Sequence, residues 1–191
     1  MAFLKSKSNP GCAGNAGSVQ RWLLAFCVLL TSNAAMVQGQ TMDEDRLKAA
    51  FLFNFAKFIT WPPVPSPAKL KICVAGAEGI VDALKAVTAG KFINSRPIDI
   101  QKADSPAGLQ ACQILYIGNQ VKKTSEMLAE AARFPLVTVG DDEKFIRRGG
   151  MINFVPAGGK LQFEINIDAA GRSGIVISSN LLQLARVVHD Q

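Results

Sequence analysis

The chain has 191 residues, of which 49% are hydrophobic and 19% charged, with a formal net charge of +6. That composition fits one cored globular domain with a short processed segment, and excludes a disordered or collagen-like chain. The positive charge is concentrated early. Lys5, Lys7 and Arg21 precede the first acidic residue, Asp43, and without them eighteen basic residues face fifteen acidic ones, so a nucleic-acid partner is not implied.

Residues 1–39 read as a secretory signal peptide, with basic residues ahead of the apolar run Trp22–Leu30 and small residues Val37 and Gly39 before a cleavage point near Gln40. The run is shorter than the ~20 apolar residues that span a bilayer. Residues 40–191 are then a single mature domain directed to the periplasm. Bulky Phe26 ahead of Cys27 argues against lipid attachment. The mature part keeps Cys73 and Cys112, an even pair in an oxidising compartment, which read as a disulfide or as two separately buried thiols.

From Met42 to Thr60 there is no Gly or Pro, and Leu47, Phe51, Asn54, Phe55, Phe58 and Ile59 recur at mostly helical spacing. An amphipathic helix is predicted there, ended by Trp61, Pro62 and Pro63. Phe53 points away from that face. Either the helix is sandwiched between the sheet and a hairpin layer, or Phe53 and Trp61 meet a partner or a second subunit.

Strands are predicted at Leu70–Ala75, Pro97–Gln101, Ala111–Ile117 and Pro135–Val139, with helices at Glu78–Thr88 and Lys122–Arg133. Strands alternating with helices imply an α/β fold, a mostly parallel doubly wound sheet of the Rossmann or flavodoxin kind in the order 2-1-3-4. The pattern then changes. After a short charged helix over Asp142–Arg147, Met151–Val155 and Lys160–Ile167 flank a turn at Pro156–Gly159 and predict a C-terminal antiparallel hairpin. In its second strand Leu161, Phe163, Ile165 and Ile167 alternate with Gln162, Glu164 and Asn166, predicting one buried and one polar face. Asp168–Gly174 reads as a tight connection, Ile175–Ile177 as a short strand, and Ser178 or Ser179 as the cap of a last helix reaching Val188.

The inventory does not favour an enzyme. His189 is the single histidine and lies at the chain end, so a Ser or Cys triad lacks its base. There is no CxxC, GxGxxG or Walker pattern, and no cofactor or metal is implied. Asp141, Asp142 and Glu143 read as complements of a helix dipole. Glu164, Asp168 and Arg172 read either as a solvated face with an Asp168–Arg172 ion pair or as a recognition strip.

The stretch LKAAFLFNFAKFITWP at Leu47–Pro62 resembles the opening signature of the YfiR family of periplasmic proteins. The resemblance continues through KICVAG, CQILYIG, LVTVGDDEKFIRRGGMINFV and FEINIDAAGRSGIVISSNLLQLA. It implies a dimeric periplasmic repressor that binds the sensory region of an inner-membrane diguanylate cyclase, lowering cyclic di-GMP and biofilm formation. It further implies sequestration by an outer-membrane lipoprotein. Cys73 and Cys112 match the family's common disulfide, and Glu164, Ile165 and Arg172 fall in a C-terminal signature that is a candidate contact surface. The second cysteine pair of the family's repressor is missing from this sequence. The competing reading is a small-molecule receptor with its pocket at the carboxyl ends of the parallel strands.

Overall fold

The computed structural model describes residues 34–63 and 69–190, with side chains from residue 43 onward. The predicted leader lies outside the described residues, apart from the backbone of its last few. The chain divides into two compact units, Met1–Thr41 and Met42–Gln191. Of the first, only its helical end at 34–41 is described.

Helix α1 runs from Ala34 to Phe58 and passes directly into strand β1, Ile59–Thr60. Its buried face is rotated from the one the aromatic spacing predicts, sharing with it Phe55, Ile59 and the partly buried Phe51. Ala49, Leu52, Phe55, Ala56 and Ile59 are covered, whereas Leu47, Asn54 and Phe58 are exposed. The small Ala49 and Ala56 let the helix backbone approach the sheet, so the seam runs along these alanines together with Leu52, Phe53 and Phe55. Phe51 and Phe55 lean on Phe154 and Phe163 at ring distances of 5.0–5.9 Å.

The main sheet has eight strands in the order β10-β8-β7-β6-β5-β2-β4-β3. Its centre is β2 (Leu70–Ala75), β4 (Arg96–Lys102), β5 (Ile114–Ile117) and β6 (Val137–Gly140), all parallel, which gives the predicted 2-1-3-4 order. Alternate residues of these strands point to opposite faces. Ile72, Val74, Ile114 and Tyr116 share a core with α1 and helix α2 (Glu78–Thr88). Cys73, Ala75, Leu115 and Ile117 share the other core with helix α3 (Thr124–Ala131) and Phe145.

The predicted hairpin forms from β7 (Ile152–Ala157) and β8 (Lys160–Asn166), through the two-residue turn Gly158–Gly159, both at positive φ as such a turn requires. It is not a separate layer. β7 also pairs in parallel with β6, so the hairpin widens the same sheet and α1 is not sandwiched. A second, unpredicted hairpin joins β3 (Phe92–Ile93) to β4 through Asn94 and Ser95 at φ +49° and +61°.

The C-terminus departs furthest from the sequence reading. Ile167–Arg172 is a short helix, α4, and β9 (Val176–Ile177) pairs with β1 in a small sheet of its own. The last helix, α5, covers only Ser179–Leu182, and Arg186–Val188 is strand β10, laid parallel along β8. β-Branched Val187 and Val188 favour the strand.

Candidate functional site

The edge built by β8, α4 and β10 carries most of the residues that the C-terminal signature brings forward. Asn166 organises it. Its side-chain oxygen accepts from the amides of Asp168 (3.1 Å) and Ala169 (3.0 Å), capping α4, while its amide donates to Asp190 (2.9 Å). Asp190 also takes the guanidinium of Arg172, and its own amide donates to Asp168 (2.9 Å). The ring of His189 lies 3.2 Å from Asp168. The predicted Asp168–Arg172 pair is thus replaced by two pairs to the chain end, because β10 brings His189 and Asp190 within reach.

The Asp190 amide, then His189, hold the Asp168 carboxyl below the ordinary carboxylate range. Arg172, then Asn166, do the same for Asp190.

The predicted polar face of β8 is exposed at Gln162 alone. Glu164 and Asn166 are buried, since β10 covers the strand edge. One Glu164 oxygen accepts from Asn153 (3.2 Å) and the other from Arg186. Ile165 is fully buried, so it supports the edge from within and cannot itself touch a partner. Arg172 is exposed, and Leu184 and Val187 stand out into solvent at 74% and 41% exposure.

The other predicted contacts lie elsewhere. Phe53 is only 8% exposed and sits beneath the ammonium groups of Lys57 and Lys91, 4.1 and 5.0 Å from its ring centre. It is a core residue, on the same side of α1 as Ala49 and Ala56. Trp61 is half-buried and donates its indole N–H to the carbonyl of Gln113 (3.2 Å).

At the carboxyl ends of the parallel strands, α1 fills the place where a doubly wound fold usually takes a ligand. Lys48 reaches Asp141 and Glu44, each at 2.7 Å, and the Tyr116 hydroxyl donates to the same Asp141 oxygen (2.7 Å). Burial, then the Asp141 charge, push the Tyr116 phenol far up, so it stays a donor. Burial also raises Asp45. Burial works to lower Lys48, but its hydrogen bonds to Asp141 and Glu44 outweigh that and raise it. Asp141 therefore serves this cluster, while its neighbour Asp142 accepts from the Lys144 amide (2.7 Å) in a turn. The predicted charged helix over Asp142–Arg147 gives way to this turn and a single 3-10 turn at Ile146–Arg148, so the acidic residues act by local contacts and not on a helix dipole. What remains open at these ends is a hollow of about 270 Å³ beside Gly76 and Lys122.

The amino ends are more open. A groove of about 450 Å³ lies between Trp61–Pro63, the starts of β2 and β4, and Phe134–Pro135. Cys112 is on its wall, joined to Cys73 by a disulfide with Cα atoms 5.9 Å apart.

Compared with known proteins, the chain matches the family described as YfiR/HmsC-like over residues 45–186. A crystal structure of a conserved domain protein from Vibrio cholerae O1 biovar El Tor is similar at 13% identity with a TM-score of 0.49, over 73% of this chain and 59% of that one. This chain thus spans less than two thirds of that protein's length, and a likeness at this level carries no argument about function.

Proposed function

The chain belongs to the YfiR/HmsC-like family of periplasmic regulators of cyclic di-GMP signalling, and on that footing we propose that it represses an inner-membrane diguanylate cyclase by binding its periplasmic sensory region. The family match across residues 45–186 is the observation that carries this reading. Repression requires only that the protein prefer the inactive form of its target. A difference of about 1–3 kcal/mol shifts such an equilibrium roughly 5- to 150-fold. The action is stoichiometric binding, not turnover, and the binding unit is a homodimer. An outer-membrane lipoprotein that competes for the repressor would relieve it.

The C-terminal edge is the surface we assign to the target. Its outermost strand, β10, leaves one row of backbone groups unpaired by any strand among the described residues, a template for an added strand. Leu184 and Val187 offer apolar contacts there, and Arg172 and Arg186 offer charge. The carboxyl-end receptor has less support, since Lys48, Tyr116 and Asp141 occupy those strand ends.

A pull-down of the oxidised chain from membranes of its host, with Leu184→Glu and Arg172→Glu alongside, tests this. Capture of a diguanylate cyclase by the parent, reduced at least tenfold in a variant with an unchanged melting temperature, is the expected result. Deleting the gene should raise cyclic di-GMP. Unchanged cyclic di-GMP together with no captured cyclase would overturn the repressor reading.

A further inference from the structure

We propose that the groove at the amino ends of the parallel strands is a binding site for a small organic anion, a carboxylate carried on a flat apolar body. This goes beyond the repressor reading and stands whether or not a cyclase is the partner. Four observations carry it.

The first is charge. Lys71 and Arg96 line the groove, and among the described residues no Asp or Glu does. The Lys71 ammonium has no hydrogen-bond or ion-pair partner among the described residues. Its cross-strand neighbour Asp99 lies outside the lining and accepts from Gln101 (2.9 Å). The second is the walls. Trp61 and Pro62 on one side and Phe134 and Pro135 on the other give apolar faces that a flat body can fill, while Asn94 and Gln110 add polar side chains at the rim.

The third is rigidity. Gln113 ties the floor together. Its side-chain oxygen accepts from the Lys71 amide (2.8 Å), and its carbonyl accepts from the Val137 amide (3.0 Å) and the Trp61 indole (3.2 Å). The disulfide fixes Cys112 to β2, and the tight Asn94–Ser95 turn fixes the start of the strand that bears Arg96. A site held this way loses little freedom on binding, so more of the contact energy appears as affinity. The fourth is size: about 450 Å³ lies within the range of small-molecule pockets.

The test uses 2-naphthoate and its neutral counterpart 2-naphthamide, titrated into the full, oxidised chain by calorimetry and by saturation-transfer NMR. Naphthoate is expected to bind at least about tenfold more tightly than the amide, as a charge-assisted contact implies. Lys71→Met should remove that advantage and leave amide binding as it was. Arg96→Gln supplies a second variant should Lys71→Met misfold by circular dichroism, and Lys85→Met, on the exposed side of α2, should change nothing. Equal affinity for the two probes, the same loss in Lys85→Met, or no saturation by either probe would overturn the proposal.

Discussion

At the scale of single residues, α1 and the loop after β6 each rest on an arrangement around one buried side chain, Lys48 and Phe145. Lys48, Asp141 and Tyr116 form a polar group in which one Asp141 oxygen is buried without a partner. Removing Lys48 alone leaves a buried carboxylate held only by the Tyr116 hydroxyl. Lys48→Met should therefore cost about 3–5 kcal/mol in denaturant unfolding. The double variant Lys48→Met with Asp141→Asn should recover a good part of that, since the stranded charge is gone. Equal losses would show that Lys48 acts by packing alone. Phe145 is the second arrangement. Its ring lies between Gly140 and Gly150 so closely that a Cβ on either would fall 2.2–2.3 Å from ring carbons. Gly150→Ala should cost about 1–3 kcal/mol through overpacking, measurable as a lower melting temperature, while cyclase capture from membranes stays intact. The GDDEKFIRRGG stretch of the family signature thus owes much of its form to one phenylalanine.

At the scale of elements, the docking of β10 is the feature most open to manipulation. Three residues hold it by register to β8, and ion pairs to Glu164, Asp168 and Arg172 hold the chain around it. Asp168 and Asp190 have depressed values in the folded state, so their contribution is present above the ordinary carboxylate value and is lost as pH falls through the folded ones. The protection of the β10 amides, taken relative to the intrinsic exchange rate at each pH, should accordingly fall below about pH 4, while that of β5 persists, which hydrogen exchange by mass spectrometry can read. Uniform exchange across both strands would show that β10 is not a separable element. The sequence announced the parallel strands and the Gly-Gly hairpin, because periodicity and turn chemistry are local. It did not announce β10, because Val187 and Val188 carry strand propensity in too short a run, and their partner lies some twenty residues back. For the same reason Glu164 and Asn166 read as exposed: local alternation cannot reveal that a later segment covers the edge. The rotated face of α1 was hidden differently, since alanines that allow close approach carry little weight beside phenylalanines.

At the scale of the whole molecule, α1 closes the carboxyl ends of the sheet, while the amino ends keep an open groove and the disulfide. Cys73 and Cys112 are 39 residues apart in sequence and link β2 to the chain two residues before the start of β5, the two strands about which the sheet winds in both directions. Closing that loop should contribute about 3–4 kcal/mol, chiefly by restricting the unfolded chain. The variant with both cysteines replaced by alanine is expected to lose that amount in urea, at an m-value above the parent's, because the unfolded chain without the cross-link is less compact. Both sulfurs are buried, so the truncations add a small packing loss to the same sum. The location gives the bond a second consequence. Cys112 precedes Gln113, the residue that ties the groove floor together, so freeing it should relax the indole contact of Trp61. Reduction should then weaken naphthoate binding while the C-terminal edge, on the far side of β7 and β8, keeps its hold on a partner. If reduction instead released the membrane partner and left naphthoate bound, the disulfide would be acting on the edge, and the two surfaces would have to be coupled through the sheet.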